Sequence, residues 1–207
     1  AVADVAAVSA LCNNAKIIGC DDADEWTEEQ VKEKTKNKSK KSKGEENKKV
    51  YERVGEPTEA ALCVLTEKLG GMSHYLEGGQ LDRKGLHFNV PPSVLANANV
   101  MSWRDIHPRV ATLEFSRDRK SMSVLCDFPE GDYPTASELH EGVRSRKAGK
   151  RLLVKGAPNL LIERCTHVKF RDGTVSKMTG PIRRSIEEKL TEMACRPLRC
   201  LALAVKD

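Results

Sequence analysis

The sequence predicts an α+β fold, an antiparallel sheet flanked by helices, and three observations point to it. Short strand-like segments come in neighbouring pairs joined by turns: Val110 to Phe115 with Ser121 to Phe128, and His167 to Phe170 with Thr174 to Lys177. Segments with apolar residues at helical spacing lie before, between and after them. Neither GxGxxG nor GxxxxGK followed by Ser or Thr occurs, so a parallel sheet with one of the common phosphate loops is the weaker choice.

The elements follow in order. Ala1 to Asn13 reads as a helix, rich in Ala and Leu, in which Val2, Val5, Val8 and Leu11 can share a face; Asn13-Asn14 and Gly19 end it. Val50 to Val54 is a short strand. After Gly55 a helix runs from about Pro57 to Leu69, because Pro suits a first turn, Ala61, Leu62, Leu65 and Leu69 recur at helical spacing, and Gly70-Gly71 stops the run. Residues 72–108 read as a long loop with one helical turn at most. Val110 to Phe115 and Ser121 to Phe128 form a hairpin about the charged turn Ser116 to Lys120, and residues 127–150 form a second long loop. Arg151 to Lys155 is a strand broken at Gly156, and Pro158 opens a short helix to about Arg164. Asp172-Gly173 favours a tight turn. Thr179-Gly180-Pro181 caps a helix lined by Ile182, Ile186, Leu190 and Met193, and Cys200 to Val205 closes the chain as a strand.

The 207 residues suit a single domain, 1–207. No apolar run approaches the roughly eighteen residues of a membrane span, no signal peptide is evident, and the chain reads as a soluble piece excised from a longer protein. Seven cysteines, an odd number with no CxxC pair, point to a reducing compartment. The histidines are scattered, so no metal site is expected. The net charge of +5 belongs to residues 32–49, where nine lysines and three glutamates lie without one apolar residue. That tract is expected to be disordered, and the rest of the chain is close to neutral. Nucleic acid is a poor partner for it, since no aromatic residue lies within the tract to stack a base.

Three segments carry candidate chemistry. Phe115-Ser116-Arg117-Asp118-Arg119-Lys120 sets an aromatic ring beside three cations, which suits a purine attached to phosphates and equally suits an ordinary charged hairpin tip. Leu153 to Pro158 ends a strand on Lys155 and follows it with Gly156 and Ala157; this is either an anion site at a helix N-terminus or a plain strand-to-helix turn. Glu56 and Glu59 lie in the first turn of a helix, where the helix dipole alone accounts for them at about 0.3–1 kcal/mol each, or where Glu59 accepts from an exocyclic amine.

Together these segments resemble the nucleotide-binding domain of P-type ATPases. Thr112 to Val124, TLEFSRDRKSMSV, is similar to the corresponding run of the sarco/endoplasmic reticulum calcium-transporting ATPases. VGEPTEAAL, the VKGAP of Val154 to Pro158, and the LRCLALA of Leu198 to Ala204 match in the same order, with ALCNN, LIERC and TGP around them. The resemblance implies an ATP site in which Phe115 stacks on the adenine while Lys155, Gly156 and Ala157 line its pocket. Glu59 would meet the adenine amino group, Arg117 and Lys120 would face the phosphates, and Arg199 would reach them from the other wall. Cys200 and Leu201 would complete the edge, with Glu56 and Thr58 behind.

The resemblance also implies what is elsewhere. DKTGT, TGD and GDGxND do not occur, so the aspartate that takes the γ-phosphate lies outside the chain, no residue here is catalytic, and the isolated chain is expected to be inactive. The domain would work with the phosphorylation and actuator domains of a membrane-embedded parent, at the cytosolic face of the endoplasmic or sarcoplasmic reticulum. Mg²⁺ would arrive with ATP, held mainly by groups outside this chain. The family's nucleotide domain also has strands before residue 1 and a hinge after residue 207. Two other readings stay open: a regulatory or scaffold module of the same fold, and a lysine-tract binder of nucleic acid or membrane surface.

Overall fold

The computed structural model describes residues 1–19, 51–70, 92–129 and 148–207. The lysine tract lies outside the described residues, as do 72–91 and 130–147 of the two expected loops. In chain order the elements are α1 (Val2–Leu11), β1 (Lys16–Gly19), β2 (Tyr51–Val54), α2 (Pro57–Leu69), α3 (Pro92–Ile106), β3 (Arg109–Ser116), β4 (Ser121–Phe128), β5 (Gly149–Gly156), α4 (Pro158–Arg164), β6 (His167–Lys169), β7 (Val175–Lys177), α5 (Gly180–Ala194) and β8 (Ala202–Lys206).

The expected fold class holds. β3, β4, β5 and β8 form an antiparallel sheet in that order, and β1–β2 and β6–β7 are separate antiparallel ribbons. On β4 the alternate residues Met122, Val124, Cys126 and Phe128 face the core, where they meet Leu11 and Cys12 of the α1 end, Ala60 and Cys63 of α2, and Val100 and Trp103 of α3. Ser121 and Ser123, on the other face of β4, are buried as well.

Four expectations change. Residues 92–106 are a helix of four turns, not loop. The segment lacks a regular apolar stripe because its polar residues are held by distant partners: the Glu67 carboxylate accepts the backbone N–H of Asn99 and Val100 and the Asn99 side-chain amide, at 3.1, 3.0 and 2.9 Å, and Asn97 exchanges hydrogen bonds with the backbone of Ile17. Lys16 to Gly19 is a strand that local sequence did not announce; it exists by pairing with β2, Ile17 opposite Arg53 and Ile18 opposite Glu52. β5 begins at Gly149 because Gly149 and Lys150 pair with Phe128 and Asp127, which removes both ends of the loop expected over 127–150. α1 is shorter than expected and not one-sided: Ala6 to Leu11 are all buried, because the helix is wedged between α2, α3 and the sheet, while Val2 is exposed.

Elsewhere local chemistry suffices. α2 starts at Pro57 and ends at Gly70, whose φ of +64° costs a residue without Cβ little. On α5, Ile182, Ile186 and Leu190 are half-buried, whereas Met193, expected on the same side, is exposed in the helix's last turn.

Candidate functional site

Strand register gathers the candidate residues at one end of the main sheet. Leu113 faces Ser123 and Ser116 faces Ser121, so β3 takes three steps where β4 takes two. This bulge leaves Glu114 and Phe115 together opposite Met122. Met122 pairs with Lys155 of β5, and Lys155 with Leu203 of β8. Phe115, Met122, Lys155 and Leu203 therefore share one rung across all four strands. Two strand spacings separate the Phe115 and Lys155 backbones, about 10 Å. The next rung outward holds Ser116, Ser121, Gly156 and Ala202. Beyond it lie the turn of Arg117 to Lys120, Ala157, and the run Arg199-Cys200-Leu201 that enters β8.

Lys155 is 7% exposed, and its Nζ lies 2.5 Å from Oε1 of Glu59 in the first turn of α2. A lysine this deep needs its partner, since an ammonium group without one is costly away from water. The other oxygen of Glu59, Oε2, accepts the backbone N–H of Asn14 at 3.2 Å. Both carboxylate oxygens are thus held by groups from different elements. Cys12 sits beside this pair with its Sγ 3.5 Å from the Met122 carbonyl; burial pushes its thiol up to about 11 against the opposing pull of Lys155, so it stays protonated.

Gly156 has a reason the sequence did not reveal. A Cβ there would lie 2.6 Å from the Lys120 carbonyl oxygen and 2.7 Å from the Ser121 Cβ, so its lack of a side chain lets β5 close on the hairpin tip. The Ala157 N–H donates to the same Lys120 oxygen at 2.9 Å, which occupies a donor that the anion-site reading had left free. Lys120 itself adopts φ +44° at this tip, and Arg164 of α4 clamps the turn by donating to the Arg119 carbonyl at 3.0 Å and to the Ser121 hydroxyl at 3.2 Å.

Phe115 is 62% exposed. Arg117, Lys120 and Arg199 are exposed, while Cys200, Leu201 and Ala157 are half-buried. Glu56 is the residue before α2 but makes no side-chain cap, and Thr58 is half-buried behind it. A cavity of about 400 Å³ lies elsewhere, among α1, β8, α4, α5 and the β6–β7 ribbon. Its wall is mainly apolar, through Val5, Val8, Leu161, Ile162 and Ile186, and its charged edge is internally paired, Lys169 with Asp4 at 2.5 Å and Arg151 with Asp4 at 3.7 Å. A more open one of about 800 Å³ lies beside the β1–β2 ribbon and α2, lined by Ile17, Tyr51, Arg53 and Val64; the candidate residues lie at the sheet end instead.

Sequence reasoning missed the supports. Asn13 and Asn14 read only as helix terminators, yet Asn13 is fully buried and donates to the Ser9 and Glu59 carbonyls at 2.9 and 2.8 Å. Glu114 and Arg164 also went unremarked; a carboxylate next to the aromatic residue and an arginine inside LIERC were the available signals.

A family model for the P-type ATPase cytoplasmic domain N matches residues 29–207. The chain belongs to that family. Among curated relatives of this N domain, the endoplasmic reticulum-type calcium-transporting ATPase 2 of Arabidopsis thaliana is 35% identical over 159 residues, 77% of this chain and 13% of the relative. The endoplasmic reticulum-type calcium-transporting ATPase 4 of the same plant is 35% identical over 156 residues, 74% of this chain and 12% of the relative. The N domain thus spans about an eighth of the length of these relatives. Its helices and antiparallel sheets accord with the family, and among the described residues no helix is long and apolar enough to cross a membrane.

Proposed function

We propose that this N domain binds ATP at the Phe115 end of its sheet and presents the γ-phosphate to an aspartate outside the chain, as one step of a calcium-transporting P-type ATPase. What supports the reading is the shared rung: the Phe115 and Lys155 backbones stand two strands apart on it, Phe115 is exposed, and Lys155 is ion-paired to Glu59 of α2. The donor set fits the ligand. Phe115 offers a stacking face worth about 1–3 kcal/mol per base, Glu59 an acceptor for the adenine amine, and Lys155, Gly156 and Ala157 the pocket floor. Arg117, Lys120 and Arg199 offer charge for the phosphates, with Cys200 and Leu201 at the edge and Glu56 and Thr58 behind Glu59. Mg²⁺ would come with ATP and neutralise phosphate charge, held chiefly by groups beyond this chain.

The domain's share in phosphoryl transfer is orientation, because positioning and charge neutralisation dominate that reaction. Its partners would then be the phosphorylation and actuator domains of a membrane-embedded parent, on the cytosolic face of the endoplasmic reticulum; the relatives' names support that compartment. Affinity of the chain by itself should be weak, about −4 to −5 kcal/mol, with part of the phosphate contacts supplied elsewhere. Titration with ATP of the wild-type chain, Phe115→Ala and a deletion of residues 32–49 tests the reading. Saturable shifts lost in Phe115→Ala and kept in the deletion support it. Binding that survives Phe115→Ala removes the site, and binding lost with the lysine tract favours an electrostatic surface instead.

A further inference from the structure

We infer that Asn14, between α1 and β1, is a positioning residue that sets the distance between the aromatic platform and the amine acceptor, and so determines which purine the site prefers. The inference rests on the ATP reading above and adds a residue outside the pocket to it.

Asn14 bonds to three residues on two elements at once. Its side-chain amide donates to both oxygens of Glu114, at 3.3 and 3.2 Å, and its side-chain oxygen accepts from Arg109 Nη1 at 2.9 Å; both partners lie on β3. Its backbone N–H donates to Oε2 of Glu59 on α2 at 3.2 Å. Glu114 is the chain neighbour of Phe115 and shares with it the bulge opposite Met122. A tie on the Glu114 side chain acts one residue from Phe115, and through that side chain Asn14 links the bulge to the Glu59 carboxylate.

The brace has a rigid base. Asn13 is buried, donates to the Ser9 and Glu59 carbonyls, lies 3.4 Å from the Cys63 sulfur, and accepts the Ala15 N–H at 2.9 Å. Arg104 and Arg109 both donate to the Asn13 carbonyl. The backbone of the Asn13-Asn14 pair is thus anchored to α2, α3 and β3 before the Asn14 side chain is considered. Among the described residues β3 is by contrast an edge strand, paired with β4 alone and bulged where Phe115 sits. Cross-ties are what can hold such a segment to an angstrom or so. A base stacked on Phe115 reaches Glu59 with its 6-substituent only if ring and carboxylate keep a fixed offset. An amino group there donates to Glu59; an oxygen there meets a carboxylate and is disfavoured.

The test compares ATP with inosine triphosphate, which carries oxygen in place of the amine, by NMR titration of the 207-residue chain. The wild-type chain should prefer ATP. Asn14→Ala and Glu114→Ala should each reduce that preference by about threefold to tenfold, the range one hydrogen bond supplies, and the double variant no further. Glu114→Gln, which keeps an acceptor for the Asn14 amide, should retain most of it. A merely structural role would weaken both nucleotides alike. Absence of preference in the wild-type chain, an unchanged preference in Asn14→Ala, or losses that multiply in the double variant would overturn the inference. Phe115→Ala separates the two failures: if it binds ATP like wild type the site itself is wrong, whereas if it loses ATP while Asn14→Ala keeps the preference, only the brace is wrong.

Discussion

Two phenylalanines stand at opposite ends of the same hairpin, and the protein treats them differently. Phe128, at the end of β4, is 6% exposed: His107 stacks on it with ring centroids 4.1 Å apart, and the Arg151 guanidinium carbon lies 5.1 Å from the ring centre. Trp103 backs His107 at 5.2 Å. Phe115, near the end of β3, is 62% exposed beside Arg117 and Lys120. Both ends combine an aromatic ring with cations, so composition does not distinguish them. What distinguishes them is whether the protein has already filled the ring's surroundings. At the Phe128 end it has, and the cluster serves stability; at the Phe115 end, among the described residues, it has not, and the ring stays exposed, as the proposed ATP site requires.

Substitutions can break this contrast. Phe128→Ala should show the largest effect, a loss of about 3–5 kcal/mol in denaturant unfolding, with ATP affinity intact in whatever remains folded. An equally large effect on ATP would mean that the two ends are not separable. His107 sharpens the point through pH. Burial lowers its pKa from 6.5 to about 4, so between those values the unfolded chain holds more protons than the folded one. Stability should therefore fall by about 3 kcal/mol as pH drops from about 6.5 to about 4 and gain no further loss from this group below that. His107→Phe should flatten that slope in thermal unfolding across the same range; an unaltered slope would assign it to other groups.

At the other end the effects on stability are smaller. Gly156→Ala brings a methyl against the Lys120 carbonyl and should cost about 1–3 kcal/mol, with chemical-shift changes centred on Lys120 and Ser121. A neutral result would mean that the hairpin tip yields freely. Phe115→Ala should change stability by no more than about 0.5 kcal/mol, the range of exposed positions, while weakening ATP by about 1–3 kcal/mol. A large loss of stability here would make Phe115 a structural residue like Phe128.

Much of the proposed site was legible in the sequence. Phe115, Lys155 and Glu59 stood out because an aromatic residue in a charged turn, a lysine closing an apolar strand and a first-turn carboxylate are local patterns, and their joint resemblance to one family linked them. The reason for Gly156 was not legible: the sequence suggested room for a ligand, whereas the atoms that need the room belong to Lys120 and Ser121. Asn14 was invisible as a brace because its partners lie 45, 95 and 100 residues away.

By itself the sequence determined what short-range physics controls: the β3–β4 hairpin, the proline starts of α2 and α4, the Asp172-Gly173 turn, and the residue types that can hold a purine and its phosphates. Tertiary structure alone decided α3, β1 and the difference between the two phenylalanines. The helix depends on Glu67 and Ile17, the strand on β2, and the fate of each ring on what packs against it. Contacts between residues far apart have no local signature, because their energy is gained only once the chain has brought both partners together.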